Sequence, residues 1–299
     1  MNSARALLFV LLSVFFFACV SGVDYGAEDT TINLQELVKI RCSLHQSDET
    51  VFFFNGTVTA FPTQQPNVVL FKTIGLNIAR CFKRSDGSYT LAGRELLYYV
   101  DPVTDQIVNR WTNPWTNETV PVVHVANDPV IQNFALGSTY PALKLDTNTL
   151  LPLDVPLYYP NALSFDPRMA PYSPQPFYQA GEWFKFISRT GEVRFPLTKT
   201  VTSTLVSWTR NGPWLPWMKQ GNAPGYLIYS SHGNKVDSWR DFPASVHLAR
   251  IPHYKSAPDC VPAVRQVTSW SYFQANFAAY LSGDLFPLAA PAVYNCTAL

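Results

Sequence analysis

From about residue 50 the chain alternates short runs of aromatic and β-branched residues with turn-forming residues. Val51–Ala60, Val68–Cys81, Tyr89–Val100, Ile107–Trp111 and Val120–Val125 follow one another closely, broken by Pro62 to Pro66, Ser85-Asp86-Gly87, Asp101-Pro102 and Asn113-Pro114. A second series, Glu182–Ser188, Thr200–Arg210, Tyr226–Ser231 and Ser245–Ile251, lies beyond a proline-rich stretch. Runs and breaks of this kind predict an antiparallel sandwich or barrel rather than strand–helix–strand units. Only Ile32–Arg41 and Trp270–Leu281 read as helices.

The two-residue period orients one of these strands and leaves the faces of another mixed. Asn55 opens an Asn-Gly-Thr glycan acceptor and belongs outside, which turns Phe52, Phe54, Val58 and Ala60 inward. In Leu91–Val100, Arg94, Leu96 and Tyr98 share one face, and Glu95, Leu97 and Tyr99 share the other. Charge on both faces fits a strand packed on one side and lining a cavity on the other. Residues 126–180 hold many of the 24 prolines, but also Phe134, Tyr140, Tyr158, Tyr159, Phe165, Phe177 and Tyr178. A flexible linker would be polar. The stretch is therefore expected to be an ordered excursion packed against the barrel. The fold expected is mainly β, an antiparallel calycin-like barrel with a few short helices, forming a single domain over residues 23–299.

Composition narrows the class. Charged residues make up 14% of the chain, against roughly 25% in soluble domains, and 20 Phe, 15 Tyr and 8 Trp fill much of the difference. Such a chain is not intrinsically disordered. Residues 1–22 read as a cleaved secretory signal: Arg5, the apolar run Leu7 to Val20, then Val20-Ser21-Gly22 with small residues at the cleavage positions. The run is shorter than the roughly 20 residues that span a bilayer, so no membrane attachment is expected after cleavage at about Val23. Without Arg5 the basic and acidic residues balance, and no basic tract exists, which excludes electrostatic nucleic-acid binding.

Cys19 leaves with the signal, and Cys42, Cys81, Cys260 and Cys296 remain. An even number in an exported chain implies two disulfides and no free thiol. Cys42–Cys81 with Cys260–Cys296 is the favoured pairing, because each bridge closes a loop within one half; the alternative ties the two ends of the chain together. Asn55, Asn117 and Asn295 head glycan acceptor sequences.

Two segments carry most of the chemistry on offer. Trp111-Thr112-Asn113-Pro114-Trp115 continues to His124 and Asp128, and Trp208-Thr209-Arg210-Asn211-Gly212-Pro213-Trp214-Leu215-Pro216-Trp217-Met218 forms the second. Proline fixes φ and removes a donor, so each corner is stiff and its indoles are set in advance. They either plug barrel ends or form a preformed wall for a flat or apolar ligand. With Gly93-Arg94-Glu95 and Gly225-Tyr226-Leu227-Ile228-Tyr229, these segments resemble the family known as domain of unknown function 1838, over about Leu34 to Pro258. The resemblance implies a shared architecture and brings no activity with it.

Hydrolytic chemistry lacks support, since neither a Gly-x-Ser-x-Gly elbow nor a His-Glu-x-x-His helix occurs. The five histidines lack a metal-ligand spacing, so no metal and no cofactor are expected. Sparse charges among the rings remain: Arg80, Arg94, Glu95, His124, Asp128 and Arg210. A charge inside a barrel must be paired or must serve a ligand. One account pairs Arg94 with an acid across the sheet. The other makes Arg94 or Arg210 an anion or carbonyl anchor, and Glu95 or His124 a general acid/base.

The function expected is thus a secreted protein that holds a small apolar or aromatic molecule in a tryptophan-lined cavity. Trp111, Trp115, Trp208, Arg210, Trp214 and Trp217 would bind it, and Arg94, Glu95 and His124 would serve cofactor-independent isomerase, cyclase or hydro-lyase chemistry. A non-catalytic carrier and a glycan-binding or host-facing protein are the alternatives.

Overall fold

The computed structural model describes residues 27–263 and 267–296. The leader, with Arg5, Cys19 and the expected new terminus at Val23, lies outside the described residues. Twelve strands are described: β1 (Ala27–Asn33), β2 (Thr50–Pro62), β3 (Val68–Lys83), β4 (Tyr89–Val100), β5 (Arg110–Thr112), β6 (Thr119–Pro121), β7 (Val125–Phe134), β8 (Thr139–Leu145), β9 (Asn148–Pro160), β10 (Phe177–Arg189), β11 (Leu205–Gly212) and β12 (Gly225–Val236). Ten of them form one antiparallel sheet in the order β1-β8-β9-β10-β11-β12-β2-β3-β4-β7, while β5 and β6 pair as a separate hairpin. The fold is mainly β, an open half-barrel consistent with a calycin-like barrel.

The curl is visible in contacts that leap across strands. The rings of Phe52 on β2 and Phe186 on β10 lie 6.1 Å apart although β11 and β12 separate their strands. The hydroxyls of Tyr99 on β4 and Tyr229 on β12 lie 2.9 Å apart across β2 and β3. One face is therefore a trough. Phe52, Phe54, Val58 and Ala60 all point into it or into the packing at its ends, as the alternation requires.

Each end of the trough is closed. At one end sits α1 (Leu34–Arg41), started by a capping box in which Asn33 and Glu36 satisfy each other's backbone N–H groups. Its Leu37, Val38 and Ile40 are buried against Phe52, Ala79 and Leu91. The bond Cys42–Cys81 ties this helix to β3. At the other end the tryptophan loops pack with α3 (Ser269–Ala275) and α4 (Phe277–Ser282), which bury Phe273, Phe277 and Tyr280. Cys260–Cys296 fastens the C-terminal segment. Both disulfides follow the favoured pairing, and two such bonds fit an oxidising compartment.

Outside the trough, residues 239–257 cover the outer face of β2, β3, β4 and β7, with Phe242, Leu248, Ile251 and Tyr254 packed on Val51, Leu76, Ile78 and Leu96. The strand expected at Ser245–Ile251 is instead a 3₁₀ turn over Ser245–Ala249. Its apolar residues recur every third position (Leu248, Ile251, Tyr254, Ala257), which suits a threefold turn and not a two-residue pleat. The strand expected from Thr200 begins only at Leu205. Before it, the Val201 N–H donates to Lys39 O and the Thr200 hydroxyl to Cys42 O, so this segment satisfies carbonyls at the end of α1.

The largest departure concerns residues 126–180, expected as an excursion. Most of them are sheet: β7, β8, β9 and the start of β10. Prolines 152, 156 and 160 all lie on β9, which β8 borders only as far as Leu150. Beyond that residue one side of β9 has no neighbouring strand among the described residues, and a residue without an N–H fits there at no loss. The remaining short helix, α2 (Thr190–Arg194), bridges β10 to the segment that caps α1, with Arg194 donating to Glu36 at 2.9 Å.

Candidate functional site

Register places the polar groups of the trough. Phe184, Trp208, Ser231, Gly56, Thr73 and Tyr99 face one another in a single row across β10, β11, β12, β2, β3 and β4. Gly56 is obligatory in that row, since a Cβ there would sit 2.3 Å from Ser231 Oγ and 2.2 Å from the Ser230 carbonyl. Glu182, Arg210, Tyr229 and Val58 form the neighbouring row. Phe54, Leu153, Val155, Phe184 and Trp208 remain half-exposed in the trough, so side chains do not fill it.

Arg210 is the centre of the second row and is only 8% exposed. Its Nε lies 3.4 Å from Glu182 Oε1, Nη2 donates to the Tyr178 hydroxyl, and the guanidinium stands 5.1 Å from the Tyr229 ring centre. Burial opposes its charge, but the oxygens of Tyr178, Tyr229 and Glu182 more than offset that and hold it strongly protonated. Burial pushes the Tyr99 hydroxyl well up and Tyr229 up to about 12, so both are neutral donors. The carboxyl of Glu182 is raised by burial and lowered by Arg210, with a net rise. The Trp208 indole N–H lies toward this carboxylate but outside hydrogen-bond geometry. Four buried polar atoms of the trough have no hydrogen-bond partner among the described residues: Thr73 Oγ1, Trp208 Nε1, Arg210 Nη1 and Ser231 Oγ.

Glu95 lies further along the trough toward α1, accepting from Asn77 Nδ2 at 3.2 Å and Asn127 Nδ2 at 2.9 Å. Burial raises its carboxyl above the ordinary range, while those two amides and Arg41 of α1 pull it back in part. An infrared pH titration is expected to show a carboxyl protonating above the usual glutamate value and absent from Glu95→Gln. Because the folded value is raised, the native state takes up this proton first, so falling pH through that range stabilises the fold. A carboxyl titrating at or below the ordinary value would contradict the burial.

Arg94, Glu95 and His124 are not brought together. Arg94 points to the opposite face from its neighbour Glu95, as strand parity demands. It is held there by Asp128 at 3.0 Å, the carbonyls of His253 and Ser256, and the Tyr294 hydroxyl. This matches the pairing account of Arg94, an Arg–carboxylate clamp that fastens the covering segment and the C-terminus to β4. His124 is buried against Tyr98 and Tyr99, and its Nδ1 accepts the Tyr99 N–H at 3.1 Å. Arg80 is engaged on the outer surface by Glu49 and Asp259.

The two tryptophan loops, in contrast, meet. Trp111 and Trp217 lie 5.9 Å apart, and Trp115 and Trp214 lie 5.1 Å apart. Asn113 joins the loops: its Nδ2 donates to Met218 O at 2.9 Å, and its Oδ1 accepts from the Trp115 N–H at 2.9 Å. Trp115 Nε1 donates to Gln65 and Trp214 Nε1 to the Ala223 carbonyl, so these indoles are committed within the protein. Four tryptophans thus close one end, while Trp208 lies in the trough row. A chain of rings, Trp111–Trp217–Tyr99–Tyr229–Trp208, links plug and trough.

Sequence reasoning did not find Glu182, Tyr178, Tyr229, Thr73 or Ser231. The available signal was parity: Tyr178, Glu182, Phe184 and Phe186 share one face of β10, and a glutamate on an aromatic face needs a reason. Of the glycan acceptors, Asn117 and Asn295 are exposed, and Asn55 lies half-buried on the outer face of β2. Among the described residues no cluster of His, Cys, Asp or Glu is arranged to hold a metal ion.

A family model described as a protein of unknown function, DUF1838, matches residues 47–277. The chain belongs to this family. No curated protein matches it. The matched stretch of DUF1838 begins just before β2 and ends at the first residue of α4, so it holds both tryptophan loops, Glu95, Glu182 and Arg210. The α1 plug and Cys42 fall before it.

Proposed function

We propose that this DUF1838 protein is exported and binds a small, largely apolar molecule in the trough through a carboxylate or carbonyl group. The observation that carries this reading is the group of buried atoms without a partner among the described residues: Thr73 Oγ1, Trp208 Nε1, Arg210 Nη1 and Ser231 Oγ. Leaving one such atom unsatisfied costs about 1–3 kcal/mol, so four around one trough argue for a ligand that supplies acceptors. All four can donate, and one is a charged guanidinium, which suits an oxyanion or a polarised carbonyl. The half-exposed Phe54, Leu153, Val155 and Phe184 supply an apolar wall for the body of the molecule.

Carriage follows directly from these groups. A catalytic reading has its own support in Glu95 and Glu182, two raised carboxyls close enough that Glu95 lifts Glu182. A proton acceptor and donor flanking an anchored carbonyl is what a cofactor-independent isomerase, cyclase or hydro-lyase requires.

Fluorescence titration with cis-parinaric acid, an apolar chain ending in a carboxylate, tests the site. Wild type is expected to bind, Arg210→Met to weaken binding at least about tenfold, and Ser231→Ala with Thr73→Val to weaken it less. Absence of binding, or equal affinity in Arg210→Met, would refute the assignment. Native mass spectrometry of protein from its own source would then identify a resident ligand.

A further inference from the structure

The sheet has two outer regions, and they are treated differently. Residues 239–257 cover the outer face of β2, β3, β4 and β7. The outer face of β9 to β12 carries Tyr158, Phe177, Trp183 and Tyr226, all exposed. Clustered exposed aromatics mark a binding surface more often than chance packing. Two of them, Trp183 and Tyr226, line a groove of about 670 Å³ together with Asp154, Gln179, Gly181 and Asn211 among others. That volume suits a small ligand or a few sugar units.

We propose that this groove binds a neutral oligosaccharide. The posture of Trp183 is the first reason. A Cβ at Gly181 would sit 2.6 Å from the indole, so the ring leans over the bare backbone of β10, pinned in place while 43% of the residue stays exposed. Flat aromatic faces receive the C–H face of a pyranose, and a ring pinned in advance loses little freedom on binding. Across the groove Tyr226 is held parallel to Phe61, with ring centres 5.1 Å apart and 2° between planes. The two platforms stand on β10 and β12, separated only by β11.

Polar groups line the same groove. Asp154 is in register with Trp183 and Asn211 with Gly181, while Gln179 lies two residues further along the same face of β10. No hydrogen bond within the described residues uses the side chains of Asp154, Gln179 or Asn211. A carboxylate and two amides, each able to take or give two bonds in a plane, match the adjacent hydroxyls of a sugar. The lining presents the Asp154 carboxylate but no lysine or arginine, which disfavours phosphate-bearing ligands.

Isothermal titration with three neutral hexaoses (β-1,4-linked glucose, β-1,3-linked glucose and β-1,4-linked N-acetylglucosamine) is the test. At least one is expected to bind. Trp183→Ala is expected to weaken that binding at least about tenfold, and Tyr226→Ala and Asn211→Ala several-fold, all three keeping wild-type circular dichroism and melting temperature because the residues lie on the surface. Arg210→Met, which acts inside the trough, should leave it unchanged. No binding of any hexaose at millimolar concentration, or unchanged affinity in Trp183→Ala, would overturn the proposal. So would a dimer in analytical ultracentrifugation that Trp183→Ala dissociates, since the face would then belong to a second copy.

Discussion

Trp217→Ala is expected to lower the unfolding free energy by about 3–5 kcal/mol, the range for truncating a buried aromatic to alanine. Trp217 is only 1% exposed. Its ring touches Phe71 at 6.1 Å, Tyr99 at 5.5 Å and Trp111 at 5.9 Å, and its carbonyl accepts from the Tyr280 hydroxyl. The rings around the vacated volume belong to β3, β4 and the β5–β6 hairpin, which cannot all close in together. Trp115 is half-buried at the rim, so Trp115→Ala is expected to cost clearly less. Chemical denaturation of both variants measures the difference. Equal costs would mean that the plug is loose, and that its tryptophans are available to a ligand instead of committed to one another.

That comparison also shows how far the sequence could be read. Stiff proline corners with indoles set in advance were legible in Trp-Thr-Asn-Pro-Trp and Gly-Pro-Trp-Leu-Pro-Trp-Met. Whether such a cluster plugs or binds was not, because fixed indoles serve either purpose equally well. The deciding contacts are Asn113 with Met218 and Trp214 with Ala223, which lie between segments or at a backbone carbonyl and leave no trace in composition.

Strand parity was the most informative signal. It turned Phe52, Phe54, Val58 and Ala60 inward, and the mixed faces of Leu91–Val100 fitted a strand with one packed face and one cavity face. The same rule separates Arg94 from Glu95, so grouping them in one site contradicted the period that oriented their strand. Applied to β10 it would have set Glu182 beside Phe184 and Phe186 and drawn attention to Arg210 opposite. Proline misled in residues 126–180, because its usual exclusion from strands lapses where β9 has an open side.

His124 is expected to make the fold acid-sensitive well above the carboxylate range. Burial, with the charges of Arg250 and His247 nearby, lowers its imidazole to about 3. The geometry gives the same sign independently: the Tyr99 N–H donates to Nδ1, so the ring proton belongs on Nε2, and a second proton would have to displace a backbone donor. In the unfolded chain the ring titrates near 6.5. Between these values the unfolded state binds a proton that the native state refuses, so stability falls as pH drops, by up to about 1.4 kcal/mol per unit. By pH 4.5 this amounts to roughly 2–3 kcal/mol. His253, lowered to about 4, adds in the same direction, whereas the raised carboxyls of Glu95, Glu182 and Asp128 oppose it. The test is therefore a difference. His124→Asn keeps an oxygen acceptor for the Tyr99 N–H and does not titrate. Urea denaturation of both proteins from pH 7.5 to pH 4.5 is expected to show wild-type stability falling relative to the variant below about pH 6.5. Parallel profiles would mean that the His124 ring takes up its proton in the native state, which the buried donor arrangement at Tyr99 does not allow.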